Sequence, residues 1–305
     1  MKRKLLIALF CLLLISGILT NALGEALKDE VVYARLSQTG ETGTVYIVNS
    51  FEAQGREEVA DWGDYSEVFP LDDPEEFLYS DGLARFVMQE GRFHYQGTMK
   101  TRRLPWEIRL EYLLDGQPVS PEALSGAHGR LEISLDVQLI EDMRVYADSI
   151  TLQITLTLDG DKCLNIISDR ATQAVSGGDR VISFVILPGQ GANYLITADV
   201  RDFSMPGIQA AGVRISMDEQ MYVSAARRAL AGSPLESAVS GIMGNFIAGM
   251  QGAAPVSFAD SRNAVRSLQF VLMGEGINAL PEYQDQEEAP REENFWDRVL
   301  RLFGI

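Results

Sequence analysis

A chain of 305 residues with 46% hydrophobic content is long enough for one large or two modest domains and can fill a real core. Its 43 acidic against 26 basic residues give a formal charge of −17, which repels phosphate backbones and anionic lipid and argues against nucleic acid as a partner. Two histidines, His94 and His128, and two cysteines supply too few ligands for the usual zinc sites.

The first two dozen residues read as an export signal. Lys2, Arg3 and Lys4 form a basic head, Leu5 to Leu19 is apolar apart from Ser16 and Gly17, and Ala22-Leu23-Gly24 offers small residues where a signal peptidase reads. The apolar run is shorter than the ~20 residues of a spanning helix, so cleavage after Gly24 is the first expectation and retention as an N-terminal anchor the second. Cys11 lies inside the apolar run rather than in a lipobox. The remaining cysteine, Cys163, has no intramolecular disulfide partner after cleavage and reads as a buried small apolar residue in a strand.

The middle of the chain alternates apolar and polar residues with period two. Leu131, Ile133, Leu135, Val137 and Leu139 alternate with polar neighbours, as do Ile150 to Leu158 and Trp106 to Leu114. Successive side chains of a strand point to opposite faces, so each run buries one face, the mark of antiparallel sheets packed on one side. Further strands are expected at residues 31–37, 44–51, 83–88, 92–97, 180–187 and 193–203. Val181 to Leu187, nearly all apolar, predicts a central strand covered on both faces. Asp81-Gly82, Asp115-Gly116, Asp159-Gly160, Gly177-Gly178 and Pro188-Gly189 punctuate these runs as tight turns. Ser120-Pro121-Glu122-Ala123-Leu124 predicts a capped helical turn. The fold class that follows is mainly β: an antiparallel β-sandwich, single or two stacked or fused, with a C-terminal helical segment.

The boundaries expected are a signal peptide at 1–24, a β-sandwich region at 25–217, a helical segment returning to a final strand at 218–274, an acidic Pro-containing linker at 275–294 and an amphipathic helix at 295–305. Ser240, Gly244, Ala248 and Gly252 place small residues four apart, in a stretch better read as a helix packed on the domain or on another copy than as a membrane span. Phe295, Trp296, Val299, Leu300, Leu302 and Phe303 share one face of the last helix, which suits an interfacial membrane contact, a partner contact or a helix folded back on the sandwich.

Catalytic motifs are missing from the sequence. There is no P-loop, Rossmann glycine pattern, nucleophile elbow or His-Glu-x-x-His. Asp159, Asp161 and Asn165 offer hard oxygens that could hold calcium, against a simpler reading as a hairpin turn between two strands. Asp72 to Glu76 reads as a charged loop or part of a weak cation site. Trp62 and Trp106, in Asp61-Trp62-Gly63-Asp64-Tyr65 and Leu104-Pro105-Trp106, either line a sugar- or peptide-binding surface or anchor the core. His94 and His128 read as a strand and a turn residue.

Those two aromatic phrases occur in order with Val45-Tyr46-Ile47-Val48-Asn49, Phe93-His94-Tyr95-Gln96-Gly97, the stretch Leu124 to Ile133, and Ser267-Leu268-Gln269-Phe270-Val271. As a set they resemble exported, membrane-associated proteins of Gram-positive bacteria, which in turn resemble the extracytoplasmic region of the phage infection protein (Pip/YhgE-like) family. The resemblance covers most of the chain after the leader and carries no catalytic residue. It implies association with transport or export membrane proteins. The expectation is therefore a non-enzymatic cell-envelope module without a cofactor, exported and membrane-associated, that binds a membrane protein or surface component and can self-associate. The alternatives are an envelope hydrolase using paired carboxylates and a calcium-dependent adhesion module.

Overall fold

In a computed structural model, which describes residues 26–74, 76–214 and 255–278, the chain is mainly β. In chain order the strands are β1 (Leu27–Leu36), β2 (Thr42–Ala53), β3 (Glu57–Trp62), β4 (Tyr65–Pro70), β5 (Glu76–Ser80), β6 (Leu83–Met88), β7 (Gly91–Met99), β8 (Trp106–Leu114) and β9 (Gln117–Pro118). They continue as β10 (Gly129–Leu139), β11 (Thr151–Leu158), β12 (Cys163–Ser168), β13 (Thr172–Ser176), β14 (Asp179–Ile186), β15 (Ala192–Val200), β16 (Gln209–Val213) and β17 (Ser267–Gly274). The signal segment, the stretch 215–254 with its small-residue pattern, most of the acidic linker and the 295–305 helix with Phe295, Trp296, Val299, Leu300, Leu302 and Phe303 lie outside the described residues.

One long sheet organises the molecule. Its nine strands run in the order β13-β14-β11-β16-β17-β1-β2-β7-β4. A five-stranded sheet, β12-β15-β10-β8-β9, packs over one half of its inner face, and a three-stranded sheet, β3-β6-β5, packs over the other. Trp106 of β8 meets Phe270 of β17 edge-on at 5.2 Å, and Tyr194 of β15 lies 4.5 Å from Phe184 of β14. On the other half Phe86 of β6 stands 5.0 Å from Phe51 and 4.6 Å from Phe93. The result is two sandwiches fused through a shared sheet with one continuous core, the fused form of the sandwich that the strand pattern allows.

Strict alternation explains the five-stranded sheet. Every inward position of β10 from Leu131 to Val137 is buried, and Glu132, Ser134 and Asp136 face outward. The hairpin turns follow the expected chemistry at Asp81-Gly82 and Asp115-Gly116, where both residues have positive φ. At Asp159-Gly160 the expectation of a hairpin fails, because β11 and β12 belong to different sheets and the turn carries the chain across the core. The 3₁₀ turn Pro121–Leu124 forms, but the Ser120 side chain does not cap it. The strand at Val181–Leu187 is not doubly covered. β14 is second from the sheet edge, and Val185 and Leu187 are 53% and 54% exposed. Apolar content identified the strand, while its neighbours determine whether its second face is covered.

The expected final strand forms as β17. It lies between β16 and β1 and pairs with β1 in parallel, so 255–278 belongs to the sandwich. Because β1 and β17 start at the same end and β16 finishes there, the entry at Ala26 and the exit after Arg214 share one end of the long sheet. From Pro255 the chain crosses the inner face toward that end. Phe258 packs on Tyr146 and Phe270, and Asn263 reaches β3.

Candidate functional site

Between the small sheet and the long sheet, near Ala26, the core contains charge. Lys28 and Glu30 keep the inward parity of Val32, Ala34 and Leu36 on β1, and Asp61 points inward from β3. Their exposures are 3%, 0% and 2%. The Lys28 ammonium donates to both Asp61 oxygens at 2.6 and 2.8 Å and lies 2.7 Å from Glu30 Oε1. The Tyr95 hydroxyl donates to Asp61 Oδ2. Glu30 also accepts from the Ser257 hydroxyl and from the Phe258 backbone N–H at 2.7 Å. A single ammonium thus serves two carboxylates, and the remaining lone pairs are satisfied by hydroxyl and backbone donors, as buried charge requires.

Burial drives the Asp61 carboxyl above its usual range, with Lys28 and the Tyr95 hydroxyl acting against it and Glu30 reinforcing it. Burial, followed by the neighbouring charges, likewise holds the Tyr65 and Tyr95 phenols well above their ordinary value. Tyr65 closes the cluster. Its hydroxyl accepts from the Asn49 amide at 3.1 Å, and its ring packs against the backbone of Gly63 and Gly97, at neither of which is there room for a Cβ.

Outward from this cluster the surface is grooved. Arg262 lies 3.7 Å from the centre of the Trp62 ring and forms a two-point ion pair with Asp260. On one side of that stack a hollow of about 160 Å³ is lined by Ala26, Lys28, Glu57, Glu58, Asp61 and Asn263 among others. On the other side an open depression of about 580 Å³ is lined by Asp64, Tyr65, Tyr79, Asp81, Lys100 and Asp260. Lys100 pairs with Asp64 at 2.5 Å, and Asp81 accepts from the Ser80 hydroxyl. The Arg262 hydrogen bonds hold the Asp260 carboxyl below its usual value. Asn263 bridges Trp62 by both backbone groups, at 2.9 and 2.7 Å.

The residues singled out by sequence fall in different places. Trp62 lines this groove, whereas Trp106 is core. Asp159, Asp161 and Asn165 are not drawn into a shared site: Asp159 Oδ1 accepts from the Asp161 backbone N–H, and the Asn165 amide donates to Asp199 at 2.6 Å. Among the described residues no three His, Cys, Asp or Glu side chains gather as a metal-holding group. His94 pairs with Asp72 at 2.8 Å, and His128 sits in its turn with Nδ1 2.9 Å from the Gly126 carbonyl. Asp72 to Pro74 is the expected charged loop, but Glu76 already opens β5. Cys163 is buried as expected, and burial pushes its thiol up to about 11. Lys28, Glu30, Ser257, Arg262 and Asn263 were not anticipated. The signal available for Lys28 and Glu30 was their parity with the apolar positions of β1.

No protein-family model matches the chain, and no curated protein does. Among solved structures the chain is similar to the yeast delta-COP-I mu-homology domain, with 11% identity over 82% of this chain and 95% of that one, at a TM-score of 0.37. The same domain complexed with a Dsl1 WxWxV peptide gives 10% identity, the same coverage and a TM-score of 0.36. A homology model of the full-length AP-3 complex gives 12% identity over 66% of this chain and 60% of that one, at a TM-score of 0.39. Among the described residues no helix is long and apolar enough to cross a membrane.

Proposed function

We propose that the protein is a non-enzymatic extracytoplasmic binding module of the cell envelope, and that it engages a membrane protein or surface component through the face around Trp62 and Arg262. The carrying observation is that the cations lining the two hollows are already paired within the chain: Lys28 with Asp61 and Glu30, Arg262 with Asp260, and Lys100 with Asp64. A hydrolase working through two carboxylates needs a reachable acid whose proton is retained near neutral pH. The carboxyl that burial does push upward, Asp61, is sealed under Lys28 and Tyr95 and cannot meet a substrate.

The same face adjoins Ala26, whose backbone N–H donates to Glu57 at 2.8 Å. Ala26 is two residues past the expected cleavage site at Gly24. A retained leader would bring this face near the membrane, and the resemblance to exported, membrane-associated proteins fits a membrane-protein partner.

A photoreactive residue at exposed Lys100, introduced in the native cell, tests the reading. The expected product is a crosslink to an envelope membrane protein that is absent when the probe replaces Glu132 on the outward face of β10. Equal crosslinking from both positions, or cell-wall hydrolysis by the purified protein that Asp81→Asn abolishes, would overturn it.

A further inference from the structure

Among the described residues the three sheets present six edges, and five carry the devices that stop edge strands from pairing with other chains. β4 has a register shift between Tyr65 and Glu67 and ends in Pro70. β12 has a register shift between Leu164 and Ile167. β9 is two residues long and ends in Pro118. β3 carries Glu57, Glu58 and Asp61, and β5 opens on Glu76 and is followed by Asp81. β13 has none of these. Thr172-Gln173-Ala174-Val175-Ser176 contains no charge, proline or glycine, pairs with β14 without a register shift, and is exposed at all five positions, Val175 at 61%.

We infer that β13 is a self-association edge, and that its occupant is β13 of a second copy, paired antiparallel about a two-fold axis through Ala174. Around that axis Thr172 faces Ser176 and Gln173 faces Val175, so hydroxyl meets hydroxyl and each valine lies beside an amide stem. Two copies of a chain of charge −17 repel one another, and an uncharged edge is where they approach at the least local cost. A basic partner would instead be selected by an acidic strand such as β3. Pairing joins two nine-stranded sheets into one. One short strand pair covers less than the ~1,000 Å² of a stable interface, so the dimer is weak, with a Kd on the order of 10–100 µM.

Sedimentation of the exported protein at rising concentration, up to about 1 mM, should show reversible dimerisation. Ala174→Lys places two ammonium groups opposite each other and should weaken the dimer at least about tenfold, with the melting temperature unchanged. Directly opposed residues of an antiparallel pair have Cα atoms about 4.5–5.5 Å apart, within disulfide range, so Ala174→Cys should give an oxidised dimer while Glu132→Cys should not. A monomer at every concentration together with no Ala174→Cys disulfide would overturn the inference. A dimer indifferent to Ala174→Lys would place self-association on another face, and an Ala174→Cys disulfide to a different protein would make β13 a heterologous edge. Either result also refutes it.

Discussion

The Lys28 ammonium and the Asp61 carboxylate, thirty-three residues apart, are joined by two hydrogen bonds of 2.6 and 2.8 Å in the interior of the protein. The pair ties the long sheet to the small one, and Glu30 extends it to the segment that starts at Pro255. Removing one member strands the others without solvent. Lys28→Met leaves two buried carboxylates unneutralised and should cost about 3–5 kcal/mol. Urea unfolding monitored by tryptophan emission measures this, and an unchanged midpoint would show that the cluster is hydrated in solution.

Asp61 and Asp29 should act on stability in opposite directions as pH changes. The folded Asp61 carboxyl titrates above its unfolded value, so the folded state holds the extra proton. Stability from this group is full below pH 3.8 and declines as pH rises through the folded value. Asp29 is also pushed up by burial, but hydrogen bonds from Arg266 and Ser267 outweigh that and hold it below its ordinary value. Its contribution is present above pH 3.8 and is lost as pH falls through the depressed value. Asp61→Asn should therefore flatten the alkaline side of the stability profile, and Asp29→Asn the acid side. Chemical denaturation at a series of pH values checks both, and an Asp61→Asn profile parallel to the parent would refute the first.

Gly97→Ala should destabilise through the Tyr65 ring. A Cβ at position 97 would come 2.4 Å from Tyr65 Cδ1, and Gly63 confines the ring on its other approach. Neither contact can relax without moving a buried tyrosine, so overpacking of about 1–3 kcal/mol is expected. Gly55, with open space around its Cβ position, provides the control, and Gly55→Ala should change the melting temperature far less.

The fold was legible where apolar residues alternate without interruption. β8, β10 and β11 satisfy the period-two rule, and their boundaries follow from it. β3 and β16 were not legible. β3 places Asp61 on its core face, and β16, Gln209-Ala210-Ala211-Gly212-Val213, has small residues where apolar bulk would mark burial. The phrases around Trp62 and Tyr95 stood out in the sequence. They meet because Tyr95 donates to Asp61 and the Tyr65 ring rests on Gly97. Their other partners were hidden by sequence distance: Ser257 reaches Glu30 from 227 residues away, and Asn263 reaches Trp62 from 201. A local pattern cannot report such contacts, and a lysine at the start of a strand reads as solvent-facing until its carboxylate is located.

Cys163 reports on the opening of the five-stranded sheet. Its thiol lies on the inward side of β12, and burial, reinforced by Asp159, pushes its pKa up to about 11, so at pH 7.5 it is both unionised and out of reach. In a Cys11→Ser background, iodoacetamide should leave the native protein unlabelled and modify it fully in 6 M guanidinium. Because β12 is, among the described residues, an edge strand paired only to β15, partial unfolding should expose the thiol before the long sheet melts. Labelling in intermediate urea should therefore precede the loss of far-ultraviolet circular dichroism. Coincident transitions would show that the fused sandwiches unfold as a single cooperative unit.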